Sequence, residues 1–420
     1  METSPPAPAG STQQLVVQLL DVTPTSVDLD SVLRRVADSP CVQPFHESRT
    51  EFLADFARDL GRRARGLGEA QALAYWLRRT ELTRMEQSFA ALASPPSTLM
   101  PRGMVFHVPP ANVGTIFVYS LSLALVTGNS NIIRMSSRAL AGPNLVLDVL
   151  RAALARHPEV ARSVALISYG HDDAITDSLS LNCDVRVIWG GDTTVGRVRQ
   201  SPLQPHARDV TFADRFSLAA IATGEYEQLA VRGRDDLAER FFKDTYWFDQ
   251  MGCSSPRALI WVGPEPHGVA AADFHERLAV VAALKGYRAD LSVEVAKLNE
   301  AYRSVLDLDV GGYHRYGDVQ TVLDTAGFPS ARGEFCGGGL LYQWQVDSID
   351  QLVPHIRRKD QTLATFGIAS ADLRGFVHEL AGRGIDRIVP FGAALDFGRY
   401  WDGYDLLSEF TRRVAIEIEE

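Results

Sequence analysis

Residues 104–135 read MVFHVPPANVGTIFVYSLSLALVTGNSNIIRM, and this stretch decides the fold class. MVFHV (104–108) and NIIRM (131–135) are short runs rich in β-branched and aromatic residues, the composition of strands. Between them a helix is expected from about Val113. Its apolar run from Gly114 to Thr127 falls short of the roughly 20 residues needed to cross a bilayer, so it reads as a buried crossover helix. The same alternation continues outward through a helix from Pro143, VALISY (164–169) and VRVIWG (185–190). Strand, helix, strand is the pattern of a parallel sheet with crossover helices, so the class is α/β and the first half is nucleotide-binding-like.

On the N-terminal side, from about Asp28 to Ser94, apolar residues recur at helical spacing (Phe52, Phe56, Leu60, then Leu73, Tyr75, Trp76), which predicts amphipathic helices. The opening METSPPAPAGSTQQ has no basic stretch before an apolar one and reads as a disordered leader rather than a signal peptide. On the C-terminal side FSLAAIA (216–222) is a further strand. A charged helical run, EYEQLAVRGRDDLAERFFKD, then leads to YWFDQMGCSSPRALIWVG (246–263) and a second α/β block. The expected organisation is a leader over 1–25, helices and a cofactor domain over 26–225, a thiol-bearing domain over 226–395, and a tail over 396–420 that packs back or lies between copies.

With 420 residues, 46% of them hydrophobic, the chain can build more than one core. Its net charge of −10 and scattered basic residues exclude a nucleic-acid-binding surface. The cysteines Cys41, Cys183, Cys253 and Cys336 include no C-x-x-C pair, and the histidines show no ligand spacing, so neither a disulfide framework nor a metal site is expected. A reducing, cytoplasmic setting follows, with no membrane span.

Cys253 falls between a helical run and the strand RALIWVG. Such a loop can expose a thiol, and free backbone N–H groups beside it can hold an oxyanion. Cysteine is the natural nucleophile towards thioesters. A lone cysteine, however, is more often a small buried hydrophobe, so the thiol needs company to be read as catalytic.

That company comes from a resemblance over roughly residues 100–410. PRGMVFHVPPANVGTIFVYSLSLALVTGNSNIIRMSSR, VIWGGDTTVGRVR and EFCGGG resemble, in order, segments of the aldehyde dehydrogenase superfamily, and more closely of the fatty-acyl-CoA reductases of bacterial bioluminescence (LuxC-type). The blocks YWFDQMGCSSP and RIVPFGAALDFGRYWDGYDLL are also similar to those reductases. The resemblance implies an aldehyde dehydrogenase-like fold with a Rossmann-type cofactor domain and a second catalytic domain. It implies Cys253 as nucleophile and Asn112 as oxyanion donor. Arg134, Ser136, Ser137 and Arg138 fall on the cofactor-binding Lys-Pro-Ser-Glu segment. Gly191, Asp192, Thr193 and Gly196 fall at the turn and helix start beneath the cofactor diphosphate, where glycine allows close approach and a helix N-terminus favours the anion. Glu334 falls on the residue that holds the nicotinamide ribose, with Gly337 in its turn. Taken singly, Asn112 could be a helix cap, the glycines an ordinary turn and Glu334 a surface carboxylate.

Two departures sharpen the reading. Hydrolytic members carry a water-activating Glu where this chain has TFADRFSL, so Thr211 or Phe212 stands near that position and no base is supplied. Ser137 replaces the Glu that repels a 2′-phosphate, and Arg138 stands beside it, which favours NADPH over NADH. The implied reaction is reduction of an acyl thioester, from acyl-CoA or an acyl-carrier protein, to an aldehyde through an S-acyl cysteine. The rivals are a hydrolytic aldehyde dehydrogenase using NAD(P), a non-catalytic nucleotide- or acyl-binding relative, and an acyl-phosphate reductase. Superfamily relatives imply a homo-oligomer. His107 could line the site but reads better as a structural histidine. Asp249, Trp401 and Asp402 read as packing residues, and Asp214 and Arg215 are left without a role.

Overall fold

The helices Leu29–Ala37, Glu47–Arg63, Gly68–Trp76 and Arg79–Ala90 occupy the stretch expected to be helical. Asp28 caps the first by accepting the Ser31 N–H at 3.3 Å. Phe52, Phe56, Leu60 and Leu73 are all buried, each contributing about 2 kcal/mol of apolar transfer. Tyr75 departs from the expected face: it is exposed, with the Arg78 guanidinium 3.6 Å above its ring. The computed structural model describes residues 15–20, 24–92, 97–110, 114–137, 140, 144–264, 266–328 and 335–418. Two units divide the chain, one running to Ala213 and resuming at Leu406, the other spanning Asp214–Asp405.

In the first unit the strands are Val16–Leu19 (β1), Thr25–Asp28 (β2), Ser97–Pro101 (β3), Met104–Val108 (β4), Ser130–Arg134 (β5), Val164–Ser168 (β6), Val185–Trp189 (β7) and Arg208–Phe212 (β8). Its main sheet has the order β2-β1-β6-β5-β4-β7-β8. From β6 to β8 all pairs are parallel. Chain order reverses between β4 and β7, so the loops leaving these two neighbours flank the switch point where doubly wound sheets bind ligands. The loop leaving β7 carries Gly191. The helix Ile116–Val126 is buried on every side, as its apolar run, interrupted only by Tyr119, Ser120 and Ser122, requires.

The second unit begins with Phe216–Ala222 (β9) and Pro256–Val262 (β10). It continues with Val310–Tyr316 (β11), Gln320–Thr325 (β12), Leu340–Val346 (β13), Asp360–Phe366 (β14) and Arg387–Pro390 (β15). Their order is β11-β12-β13-β10-β9-β14-β15, parallel throughout except for the β11–β12 pair.

Three boundaries differ from expectation. Within the presumed leader, β1 is a strand whose Gln18 and Leu19 pair with Ser168 and Ile167, because the LVVQLL run can bury Val17. FSLAAIA does not close the first block; it sits between β10 and β14 in the second sheet, which moves the division from 225 to 213. The tail splits at 405/406. Tyr400–Trp401 (β16) and Tyr404–Asp405 (β17) stay in the second unit, whereas Thr411–Ala415 (β18) pairs with β3 and Arg208 binds Glu409 at 2.8 Å in the first.

Candidate active site

The helix Val231–Tyr246 runs directly into the turn that carries Cys253. Asp249 and Gln250 both lie in the left-handed region, at φ 56° and 61°, an arrangement that persists only where surrounding contacts enforce it. The enforcing contacts come from the EFCGGG turn. Gly338 N–H donates to the Asp249 carbonyl at 3.0 Å, and Gly339 N–H donates to Gln250 Oε1 at 2.9 Å. Gln250 Nε2 donates to the carbonyls of Pro256 and Leu340 at 2.8 and 2.9 Å. Tyr287 O–H donates to the Asp249 carboxylate. A Cβ on Gly337, at φ 73°, would stand 2.3 Å from the Asp249 carbonyl oxygen, so glycine is required there by contact as well as by dihedral. Glu334 of the same motif lies outside the described residues.

Cys253 therefore sits just ahead of β10, level with the starts of β9 and β14, and Ser217 Oγ on β9 donates to its carbonyl at 2.7 Å. The residue is half-buried. Burial pushes the thiol up to about 11, and the charge of Asp402 adds to that. The Ser254 side chain, the Arg257 guanidinium and the Gln361 side chain oppose the rise.

Arg257 is the cation of this cluster, and burial lowers its own pKa to about 10 while Cys253, Asp214 and Cys336 pull it back up. Its guanidinium carbon lies 4.0 Å from the Phe335 ring centroid, and its buried Nε has no hydrogen-bond partner among the described residues. Cys336 is half-buried too, its thiol raised to about 11 chiefly by burial. On the other side Asp402, with φ 50°, is buried, binds Arg215 at 3.2 Å and accepts from Gln361 Nε2. Burial pushes its carboxyl up to about 6 against the pull of Arg215. Asp402 thus belongs to the electrostatic surroundings of the thiol, and Arg215 is its ion-pair partner. Sequence reasoning missed Arg257, Gln361 and Ser217 altogether. The one available signal was a lone arginine entering the apolar strand PRALIWV, since a charge there needs a reason.

In the first unit, Arg134 ends β5, donates to the Gly170 carbonyl at 3.2 Å and lies 4.6 Å from the Tyr169 ring, with its buried Nε unpartnered among the described residues. A cavity of about 210 Å³ opens beside it. Its lining includes His171, Asp173, Thr193 and Arg197. Arg197 pairs with Asp173 at 2.9 Å and approaches His171 Nδ1 at 3.3 Å. Gly191 precedes the helix Asp192–Val198, and nothing lies within 4 Å of where a Gly196 Cβ would project. Of the expected cofactor residues, the cavity brings together Arg134 and Thr193; Ser136 and Ser137 follow β5 without lining it. Asn112 and Arg138 lie outside the described residues. His171 and Arg197 were not foreseen, because their approach depends on the packing of one helix start against the last turn of another.

His107 and Phe212, both singled out in the sequence, lie in the first unit. His107 is fully buried, with Nδ1 2.8 Å from Ser120 Oγ and Nε2 3.0 Å from Asn131 Oδ1, and burial lowers its pKa to about 4. It is a neutral structural residue. Phe212, which with Thr211 was expected near the position of that carboxylate, closes β8 with its ring stacked 3.6 Å from that of Trp189. Among the described residues no group of His, Cys, Asp or Glu could hold a metal ion, and no helix is long and apolar enough to cross a membrane.

Comparison with known proteins follows the same lines. Residues 69–293 match the family model described as Acyl-CoA reductase (LuxC). The long-chain acyl-protein thioester reductase of Aliivibrio fischeri is 25% identical over 340 residues, covering 76% of this chain and 68% of that protein. The enzyme of the same description from Photorhabdus laumondii is 24% identical over 344 residues, with the same coverages. Among solved structures, aldehyde dehydrogenase 21 from Physcomitrella patens superposes with a TM-score of 0.65 at 10% identity, over 96% of this chain and 95% of that one. The NADP-dependent glyceraldehyde-3-phosphate dehydrogenase of Bacillus halodurans gives 0.61 at 14% identity, over 96% and 95%. The fold is therefore that of the aldehyde dehydrogenases, and the chain belongs to the acyl-CoA reductase (LuxC) family.

Proposed function

We propose that the protein reduces an acyl thioester to the aldehyde with NADPH, through an acyl group carried on Cys253. The observation that carries this reading is a half-buried thiol on a turn pinned by Gln250 and the 337–339 glycines, beside the Arg257 guanidinium, in a chain whose β8 ends in Phe212 rather than a carboxylate. The similarity to acyl-protein thioester reductases supports it.

In this account the Cys253 sulfur attacks the thioester carbonyl as a thiolate, which Arg257 stabilises. Asn112 and the Cys253 backbone N–H hold the resulting oxyanion, each such donor worth roughly 3–4 kcal/mol at the transition state. The carbon–sulfur bond to the CoA or carrier thiol then breaks, leaving an S-acyl cysteine. Without a carboxylate to activate water, the acyl-enzyme survives until reduced. NADPH, when bound, supplies the hydride. The thiohemiacetal that results on Cys253 loses its proton and expels the thiolate, releasing aldehyde. Arg134, Ser136, Ser137 and Arg138, with Gly191, Asp192, Thr193 and Gly196, would hold the adenosine and diphosphate end, and Glu334 in the turn of Gly337 the nicotinamide ribose. The unpartnered Arg134 Nε, the cavity beside it and the open space over Gly196 fit such a group. The arginines and histidine around the cavity, with Ser137 in place of an acidic residue, favour a 2′-phosphate.

The test is incubation with NADPH and a panel of acyl-CoA and acyl-carrier-protein thioesters, with aldehyde trapping. Aldehyde from a thioester and none with Cys253→Ser is expected. Carboxylate formed from an aldehyde instead would identify a hydrolytic dehydrogenase and defeat the reading.

A further inference from the structure

The second unit holds a groove of about 600 Å³ between the helix Val231–Tyr246, the end of the helix Gly268–Leu284 and the loop that leaves β15. Its volume is that of a small-molecule site. Both long walls lead to the cysteine turn. On one side the helix supplies Arg240 and Lys243 and runs on into Trp247, a short turn before Cys253. On the other, the loop 390–393 continues to Leu395, whose Cδ2 lies 3.0 Å from where a Gly252 Cβ would stand. Asp244 fastens the two walls together, accepting the Gly392 N–H at 2.7 Å and the Ala394 N–H at 2.9 Å.

The lining decides what fits. Phe242, Trp247 and Phe391 give apolar surface, while Asp236, Glu239, Arg240, Lys243 and Lys285 surround it with charge. A plain acyl tail is a poor occupant, because its methylenes would strip water from ionised groups and return no hydrogen bonds. A chain that alternates short apolar links with amides and ends in an anion suits such walls better. The place for the anion is Arg240. Lys243 is taken by Asp396 and Lys285 by Glu239, both at 2.5 Å. Arg240 makes no ion pair or hydrogen bond among the described residues, not even with Asp236 one turn earlier. Gly392 packs over its stem: at φ 88°, a Cβ there would stand 3.0 Å from the Arg240 Cβ, so glycine lets the loop pass this close.

From Arg240 to Trp247 the helix advances about 10 Å, and the turn to Cys253 adds to that. A phosphopantetheine arm has a matching reach. About twelve bonds join its phosphate ester oxygen to its sulfur, as many as in four extended residues, roughly 14 Å. It carries a dimethyl carbon and two ethylene links for the aromatic wall, two amides, and a phosphate at the end remote from the sulfur. We infer that the groove takes the phosphopantetheine arm of the acyl donor, with Arg240 on its phosphate. The inference rests on the reading of Cys253 as the acyl acceptor. CoA and a carrier protein both present this arm.

Kinetics with thioesters of one acyl group test it: acyl-pantetheine, its 4′-phosphate, acyl-CoA and acyl-carrier protein. The phosphorylated arm is expected to have a KM about tenfold below that of acyl-pantetheine, the worth of one charged hydrogen bond at an exposed guanidinium. Arg240→Ala should abolish that difference by raising the KM of the phosphorylated thioester, leaving acyl-pantetheine and kcat unchanged, and Arg240→Lys should restore most of it. Arg232→Ala, on the same helix but off the groove, is the control. Acyl-CoA and acyl-carrier protein should both weaken with Arg240→Ala, and the lower KM names the source of the arm. Equal KM values with and without the phosphate, or an Arg240→Ala chain that keeps the wild-type ratio, would overturn the inference. If no thioester yields aldehyde, it is the Cys253 reading that fails. Calorimetric titration with the same two pantetheine thioesters then decides the inference separately: tighter binding of the phosphorylated one, lost in Arg240→Ala, upholds it, and equal affinities overturn it.

Discussion

Gln250 clamps Gly339: its Oε1 accepts the glycine N–H at 2.9 Å while its Nε2 holds the Leu340 and Pro256 carbonyls, so one buried amide joins the cysteine turn to the glycine turn 89 residues away. Gln250→Ala strands a buried N–H and two carbonyls, and a loss of about 2–4 kcal/mol is expected. Urea unfolding measures it. Loss of stability should come with slower alkylation of Cys253, because the turn that presents the sulfur is released. An unchanged unfolding midpoint would mean the clamp is dispensable.

Cys253 ionises between a cation and an anion that pull in opposite directions. Asp402 raises the thiol pKa, so Asp402→Asn should lower it and speed iodoacetamide alkylation at neutral pH. Arg257 lowers it, so Arg257→Met should raise it and slow alkylation. Each change is expected to be several-fold, a full pKa unit corresponding to about tenfold. Rate against pH separates a shifted pKa from a blocked sulfur. If both variants moved the profile the same way, the electrostatic account of the thiol would fail.

Coenzyme preference should follow the charges around the 210 Å³ cavity. Arg134→Leu and Arg197→Leu are each expected to weaken NADPH binding by about 10- to 100-fold, the worth of one charged hydrogen bond, with a smaller effect on NADH. Asp173→Asn removes the ion-pair partner of Arg197 and should tighten NADPH instead. Fluorescence titration with both coenzymes gives the ratios.

Two buried histidines link stability to acidity. His107 and His275 both have folded pKa values of about 4, below the ordinary 6.5, because burial disfavours the imidazolium. Their contribution is present above pH 6.5 and is lost as the pH falls towards 4, up to about 3 kcal/mol for each. The raised carboxyls run the other way: Asp244 at about 7 and Asp402 at about 6 add stability at low pH and lose it as the pH rises through those values. The informative quantity is therefore a difference. The stability gap between the wild type and His275→Gln, from urea unfolding, should narrow between pH 7 and pH 4. A constant gap would contradict the shift.

What the sequence made legible was local. The run at 104–135 announces β4, the buried helix and β5 because β-branched clusters and a mostly apolar stretch carry their own signals. Cys253, Gly337 and the Gly191 turn stand out through the resemblance of the blocks that hold them, since a lone cysteine or a glycine turn is ordinary by itself. FSLAAIA was readable as a strand, but periodicity cannot say which sheet a strand joins, and β9 went to the second. Asp402 was read as a packing residue and Gln361 escaped notice because their proximity to the thiol is created by chain closure over more than a hundred residues.

The central claim is acyl transfer to one sulfur, and intact-protein and peptide mass spectrometry after mixing with an acyl thioester in the absence of NADPH tests it most directly. One acyl group per chain on the peptide carrying Cys253, discharged as an equal amount of aldehyde once NADPH is added, is the predicted result. Acylation of Cys336 in its place, or aldehyde formation by a Cys253→Ser chain, would contradict it.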